Sequence, residues 1–189
     1  PGRDVGQIEL HGRKRVRTWT KLNETAYPGQ NWIITSEPVD YEYGENVIMT
    51  GNELPGGTFD LPSFGLEELV VLSTSADGHN VTFTTSLQYT HRSEIVEVEG
   101  RRIDMRCEIG LLSRNIILQG DRVQSDGQLY GVHSMAMLSG IYRVENIEVT
   151  NCGQAFNFGR YCTHSHMAGD MRGSDVKANS IHHSYQRAC

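Results

Sequence analysis

Four histidines and one aspartate near the carboxyl end of the sequence have the spacing of a metal or catalytic site. His164 and His166 lie two residues apart in "GRYCTHSHMAGD", and Asp170 closes that stretch. Side chains two residues apart on a strand share a face, with Cβ atoms about 6.5–7 Å apart. One divalent metal ion could therefore bind both imidazoles, and "SIHHS" adds His182 and His183. The alternatives are an outward polar ladder and a non-catalytic glycan-binding surface.

Carboxylates that could cleave a glycosidic bond are less distinct. Glycosidases place a pair of acids on either side of that bond. The sequence offers Asp104, Glu108, Asp170 and Asp175, and no spacing singles out two of them. Turn and surface positions are the simpler interpretation of all four.

Composition excludes several classes of protein. The chain has 189 residues and a formal net charge of −6, with 17 basic and 23 acidic side chains, so no long-range attraction to nucleic acid is expected. No apolar run approaches the roughly 18–20 residues that span a bilayer. The chain opens on Pro1 without a signal-like segment and stops at Cys189 in mid-pattern, so we expect it to be a piece of a longer protein.

Cysteines and sequons favour an oxidising, extracellular compartment. The four cysteines form neither a CxxC nor a zinc-finger pattern. Asn23 and Asn80 begin the triplets Asn-Glu-Thr and Asn-Val-Thr beside turn-like residues, and we expect both to carry N-glycans in the native source.

Apolar residues in the first half of the chain alternate with a period of two. Short β-branched runs closed by Gly, Pro, Asn or Asp predict strands, and Asp77-Gly78 between two of them predicts a hairpin. This pattern predicts a small antiparallel unit. The basic run "GRKRVRTW" (12–19) fits a solvated strand face, with contact to an acidic glycan as the alternative.

From residue 103 onward the pattern becomes repetitive. Val149 and Ile181 occupy matching places in two similar segments, and "RYC" is echoed by "RAC" further along the chain. Repeats of roughly 27–32 residues made of short strands are typical of a parallel β-solenoid. Stacked strands sit about 4.7–4.9 Å apart, a separation that suits a disulfide. The alignment of "RYC" with "RAC" therefore predicts a Cys162–Cys189 bond.

These alignments do not assign bonding partners to the remaining cysteines, Cys107 and Cys152. Cys152 falls opposite Ser184, so it is either a thiol or the partner of Cys107.

Three long blocks resemble the fibrocystin-L-like family, which includes hyaluronan-binding and cell-surface hyaluronidase members. They are residues 17–49, 106–121 with "EIGLLSRNI", and 159–189 with "HSHMAGD" and "SIHHS". The resemblance covers nearly the whole chain. It implies an all-β fold, in which the first coils of a right-handed parallel β-helix follow a small antiparallel β unit.

The resemblance also implies three segments. Residues 1–19 would end a preceding eight-glycine domain, 20–102 would form the connecting antiparallel unit, and 103–189 would start the β-helix, cut short.

Two functions follow from the resemblance. The first is a structural, adhesive or glycan-binding module of an extracellular, cell-surface or ciliary protein, whose partners are glycans, matrix or surface proteins and the rest of its own chain. The second is a hyaluronidase that uses the β-helix face as a polysaccharide groove. No cofactor is implied beyond the possible divalent metal ion.

Overall fold

The structure is a computed structural model that describes residues 6–51, 65–138 and 140–189. Parts of two predicted segments, residues 1–5 and 52–64, lie outside the described residues, as does Ser139.

The described residues form strands and one short helix. In chain order these are β1 (Gln7–His11), β2 (Trp19–Lys21), β3 (Trp32–Ile34), β4 (Asn46–Met49), β5 (Glu67–Thr74), β6 (Asn80–Phe83), β7 (Ile95–Val98), β8 (Arg101–Asp104), β9 (Glu108–Leu111), β10 (Ile117–Gln119), α1 (Arg122–Gln128), β11 (Ser134–Met137), β12 (Ile141–Glu145), β13 (Glu148–Cys152), β14 (Thr163–His166), β15 (Asp175–Lys177) and β16 (Ser180–Ser184).

One of two compact units, called here the parallel unit, is built from stacked parallel strands and contains residues 6–14 and 114–189. Its sheets have the orders β1-β12-β15, β10-β13-β16 and β11-β14. Val149 pairs with Ile181 as the sequence alignment predicts, whereas Ser134 pairs with Thr163 at a slightly shorter offset. Leu118, Val149 and Ile181 pair in register in successive layers and pack in one core.

Left-handed backbone recurs at matching positions of successive layers. Asn151 has φ +46° and His183 has φ +48°, and these residues are separated by the same offset as Val149 and Ile181. Asn146 and Ala178 repeat the relationship with φ +56° and +54°. Such φ values are uncommon outside glycine, so their repetition shows that the layers bend in the same way.

The second unit, residues 15–113, is an antiparallel sheet of strand order β2-β9-β4-β5-β6-β3 with a separate β7-β8 hairpin. The two end strands of this sheet, β2 and β3, also approach each other. Leu22, directly after β2, forms an antiparallel bridge with Thr35, directly after β3. Alternating residues such as Ile33, Val47 and Val81 are completely buried in one core. Joining the end strands removes open sheet edges.

The predicted all-β class is confirmed, but the segment boundaries differ. Residues 7–11 pair in parallel with β12, so β1 belongs to the parallel unit instead of ending a separate preceding segment. The expected β-helix segment, residues 103–189, includes β9, yet β9 pairs antiparallel with β2 and β4. The reason is packing: Ile109 and Leu111 are buried in the core of the antiparallel unit.

The basic run at residues 12–19 is not a uniformly solvated face. The Arg15 side chain is only 3% exposed and pairs with Glu45 and Asp40. The positive charge of Arg15 is therefore paired with carboxylates inside the antiparallel unit.

Candidate functional site

A polar cluster, called here the Glu148–His183 cluster, lies on the sheet formed by β10, β13 and β16. Strand alternation explains its position. Val149 is buried in the core of the parallel unit, and its register partner Ile181 packs against that core. Glu148, Thr150 and His182 alternate with these residues and therefore share the opposite face.

Hydrogen bonds link the members of this cluster. His182 donates from Nε2 to Glu148 Oε1 at 3.0 Å, and the second Glu148 oxygen accepts from the Arg114 amide at 3.1 Å. His182 Nδ1 lies 2.8 Å from His183 Nδ1. Thr150 Oγ1 lies 3.4 Å from the first of these nitrogens and 3.3 Å from the second. Two imidazoles, a hydroxyl and a carboxylate are thus in direct contact.

A second network adjoins the cluster. Asn151 donates from Nδ2 to the Tyr185 hydroxyl at 2.8 Å, and that hydroxyl donates to Asp126 of α1. Burial, together with the hydrogen bond to the Asp126 carboxylate, raises the pKa of Tyr185. Its phenol therefore stays protonated at neutral pH and holds the loop after β16 against α1.

The histidines of β14 form a separate pair. His164 Nε2 lies 3.1 Å from His166 Nδ1. The Tyr161 ring packs edge-on against His164 with centroids 4.7 Å apart, and Phe158 packs against Tyr161 at 6.2 Å. This aromatic stack fixes the His164 ring from one side.

The five predicted metal ligands do not gather into one site. His164 and His166 lie on β14, His182 and His183 on β16, and Asp170 pairs with Arg172 instead. Across residues 6–51, 65–138 and 140–189, no three His, Cys, Asp or Glu side chains are grouped so that they could hold one ion. The separation follows from the fold, because β14 and β16 belong to different sheets.

Sequence reasoning missed Glu148 and Thr150. Alternation along "ENIEVT" was the available signal, since it predicts that these two side chains share a face. That they meet His182 depends on the register between β13 and β16, which places Thr150 opposite His182.

The predicted Cys162–Cys189 disulfide is wrong. Cys162 is bonded to Cys152 across a separation of ten residues, with their Cα atoms 4.9 Å apart, and Cys189 is an exposed thiol. The amide of Cys162 donates to Arg187 O, and Thr163 Oγ1 contacts the sulfur of Cys189. The alignment of "RYC" with "RAC" therefore missed the register, and the alternative of a Cys107–Cys152 bond is excluded as well.

The disulfide closes a loop, called here the aromatic loop (residues 153–161), that presents apolar rings to solvent. Phe156 is 98% exposed and Phe158 is 88% exposed. Arg160 and Arg187 are exposed nearby, and the Arg187 guanidinium lies 5.7 Å from the centre of the Tyr161 ring. Apolar ring surface and positive charge therefore lie side by side at this loop.

His133 borders this loop and contacts Arg160 at 2.6 Å. Burial, and then the neighbouring positive charge of Arg160, lower the pKa of His133. The imidazole is therefore neutral at pH 7 and accepts a hydrogen bond from the guanidinium.

The four acids considered for glycoside cleavage are each paired with a base. Asp104 contacts Arg106 at 2.8 Å, and this hydrogen bond holds the pKa of Asp104 well below its usual range. Arg172 likewise lowers the pKa of Asp170. Glu108 and Asp175 form ion pairs with Lys21 and Lys177, respectively. A general acid requires a raised pKa, so Asp104 and Asp170 are not suited to that role.

A cavity of about 290 Å³ lies beside the β14 pair. Burial raises the pKa of Tyr142, one of its lining residues, whose hydroxyl contacts Ser134 Oγ at 2.6 Å. The lining residues are Tyr142, Thr163, His164, Ser165, Val176 and Cys189.

The two predicted glycosylation sites differ in their surroundings. Asn23 is exposed in the bend after β2. Asn80 lies at the start of β6 opposite Ile34, and its Oδ1 atom is buried without a hydrogen-bond partner among the described residues.

Residues 122–128 are the helical part of the described chain, and they fall far short of the length and hydropathy needed to cross a bilayer.

Comparison with known proteins agrees with the fold of the parallel unit. A family model described as "CEMIP beta-helix" matches residues 129–189. Human Fibrocystin-L is 30% identical over 226 residues, covering 97% of this chain and 5% of that protein. A G8 domain-containing protein of Dictyostelium discoideum is 30% identical over 182 residues, covering 96% of this chain and 11% of that protein.

The human Cell surface hyaluronidase CEMIP2 is 30% identical over 156 residues, covering 72% of this chain and 11% of that protein. The chain thus spans only a small part of each of these relatives. The resemblance read from the sequence motifs is confirmed: this chain is homologous to the fibrocystin-L-like proteins, with G8 domain proteins and CEMIP2 among its relatives.

Proposed function

We propose that this chain is an extracellular or cell-surface module of a longer fibrocystin-like protein, and that it binds glycan or matrix without cleaving it. The ciliary surface is one such location. The relatives support the extracellular setting, since one of them is named a cell surface protein. The disulfide between Cys152 and Cys162 fits an oxidising compartment.

The stacked strands are, on this proposal, the start of a right-handed parallel β-helix. Parallel pairing at similar offsets along the chain, found in all three sheets of the parallel unit, supports that architecture. A stack of this kind is stiff and presents flat outer faces, which suits a structural or adhesive role.

The aromatic loop is the observation that carries the binding role. Phe156 and Phe158 expose nearly their whole side chains, although burial of an aromatic ring is favourable. A ring displayed from a disulfide-closed loop loses little further freedom when it contacts a ligand. Arg160 and Arg187 add positive charge beside it, so an acidic polysaccharide is the ligand class that fits.

Hyaluronan cleavage is the second candidate function, favoured by the similarity to CEMIP2. Its chemical requirement is a pair of carboxyls with opposed protonation states. Asp104 and Asp170 have lowered pKa values and partners of their own, so neither resembles the acid of such a pair.

The test uses the longer parent protein with hyaluronan of defined size, with and without a chelator. We expect retention of hyaluronan on the immobilised protein and no change in its size distribution. Shortened products would overturn the binding-only proposal and favour the hyaluronidase.

Paired variants locate the binding surface. Phe156→Ala with Phe158→Ala should reduce hyaluronan retention at least severalfold, whereas Val123→Ala, which removes an 84%-exposed side chain from α1, should leave it unchanged. Equal retention by both variants would contradict a role of the aromatic loop.

A further inference from the structure

We propose that Thr150, His182 and His183 form a binding site for one late first-row transition-metal ion such as Cu²⁺, Ni²⁺ or Zn²⁺. This site, called here the Thr150 site, is independent of glycan binding by the aromatic loop. It uses two of the five predicted ligands and adds a hydroxyl as the third donor.

Glu148 sets the tautomer of His182. A carboxylate only accepts hydrogen bonds, so the 3.0 Å contact places the ring proton of His182 on Nε2. The lone pair of His182 is then on Nδ1 and accepts a hydrogen bond from His183 Nδ1. An ion that binds here replaces this proton, and His183 takes the tautomer protonated on Nε2. Metal-bound histidines usually donate their other N–H to a carboxylate, as His182 does to Glu148.

The three donor atoms have the spacing of ligands around one ion. His182 Nδ1, His183 Nδ1 and Thr150 Oγ1 form a triangle with edges of 2.8, 3.3 and 3.4 Å. The circumscribed circle of that triangle has a radius of about 1.8 Å, so a point about 2.0–2.1 Å from all three atoms exists just outside its plane.

The three edges indicate which class of ion fits. Two ligands at right angles, each about 2.0 Å from a metal, are about 2.8 Å apart, as in tetragonal Cu²⁺ and Ni²⁺ sites. Ligands of tetrahedral zinc are about 3.3 Å apart, which matches the two edges to Thr150, so Zn²⁺ fits as well. Hard ions such as Ca²⁺ and Mg²⁺ prefer oxygen donors, so nitrogen ligands disfavour them.

Burial leaves one side of the site open. Thr150 is 5% exposed and forms the floor, while His183 is exposed and His182 is partly buried. An ion bound above Thr150 can therefore reach solvent and complete its coordination with water. The β14 pair differs from the Thr150 site in two ways. Among the described residues, no carboxylate contacts the outer ring nitrogens of His164 and His166, and no third donor contacts both rings.

The test is a Cu²⁺ titration of the whole chain followed by electron paramagnetic resonance. We expect one equivalent to show a tetragonal spectrum with coupling to two imidazole nitrogens. His183→Asn should reduce this to one nitrogen, and asparagine tolerates the left-handed φ of +48°. The double variant His182→Gln with His183→Asn should no longer bind this equivalent of Cu²⁺.

The matched control is the β14 pair. His164→Gln with His166→Gln should keep the two-nitrogen spectrum. If that variant loses the signal, or if the variant of residues 182 and 183 keeps it, the Thr150 site is excluded. Hydrogen exchange of β13 confirms that each variant is folded.

The variant Glu148→Gln tests whether Glu148 orients the His182 ring or only packs against it. An amide can accept from or donate to the imidazole, so it no longer holds the proton on Nε2. We expect Cu²⁺ affinity to fall about tenfold, which is typical for loss of such a partner, while protection of β13 from hydrogen exchange is retained. Unchanged affinity would overturn the role assigned to Glu148.

Discussion

Glu67 and His91 form a buried pair in the antiparallel unit, with side chains 6% and 0% exposed. His91 Nε2 lies 2.9 Å from Glu67 Oε1, and Nδ1 lies 2.9 Å from the carbonyl oxygen of Thr50. Both contacts of the His91 ring are to oxygen atoms, so each ring nitrogen has a hydrogen-bonding partner inside the core. Glu67 also accepts from the amides of Gln88 and Tyr89.

Removing Glu67 should therefore destabilise the antiparallel unit strongly. Glu67→Leu leaves the buried His91 ring and two backbone amides without their acceptor, and we expect a loss of about 3–5 kcal/mol in the free energy of unfolding. Glu67→Gln keeps one oxygen acceptor and should lose about 1–2 kcal/mol. Chemical denaturation followed by tryptophan fluorescence measures both, because Trp19 and Trp32 lie in this unit.

The control for this pair is Glu97→Gln, on the exposed face of β7. It should change the free energy by less than about 0.5 kcal/mol. A loss after Glu67→Leu no larger than that of the control would contradict the buried contact between Glu67 and His91.

The disulfide should stabilise the parallel unit. Closing a loop of ten residues is worth about 2.5–3 kcal/mol on the chain-entropy estimate. Replacing Cys152 and Cys162 together with alanine should lower the hydrogen-exchange protection of β13 and β14 by that amount. Cys189→Ala, at an exposed thiol, should leave it unchanged. Peptide mapping without reduction that finds Cys162 bonded to Cys189 would contradict the structure.

The repeated left-handed backbone gives a stabilising substitution. Ala178 has φ +54°, where an alanine side chain is strained and glycine is not. Ala178→Gly should therefore raise the stability of the parallel unit by about 0.5–1 kcal/mol. The matched change Ala155→Gly, where φ is not positive, should lower it by about 0.5–1 kcal/mol, since glycine loses more entropy on folding. Hydrogen exchange of β13 and β16 measures the difference, and a loss in both variants would contradict the backbone assignment.

Local patterns predicted much of the fold. Asp77-Gly78 lies between β5 and β6, which pair as the expected hairpin, and Gly78 has φ +78°. The match of Val149 with Ile181 gave the correct register because both residues pack in the core. Apolar side chains fix register, since a slip by a single position would turn them to solvent.

Contacts between residues far apart in the sequence were harder to predict. Arg187, Ala188 and Cys189 are exposed, so burial does not fix the register of "RAC", and the backbone of Cys162 instead meets Arg187. Glu67 and His91 are 24 residues apart and meet only once the antiparallel sheet is assembled. The histidines were identified by type, yet their division between β14 and β16 depends on which sheet each strand joins.

Glycan occupancy should differ between the two sequons. Asn23 is exposed, so a glycan on its Nδ2 atom meets no packed side chain. Asn80 is partly buried in β6 with Oδ1 enclosed, which restricts the geometry available to an attached sugar. After expression through a eukaryotic secretory pathway, we expect both sites to be modified, with higher occupancy at Asn23. Glycopeptide mass spectrometry of the whole chain and of Asn23→Gln and Asn80→Gln variants measures this. Bare asparagine at both positions would argue against a secretory route, and fuller occupancy at Asn80 would show that burial of its side chain does not limit the transferase.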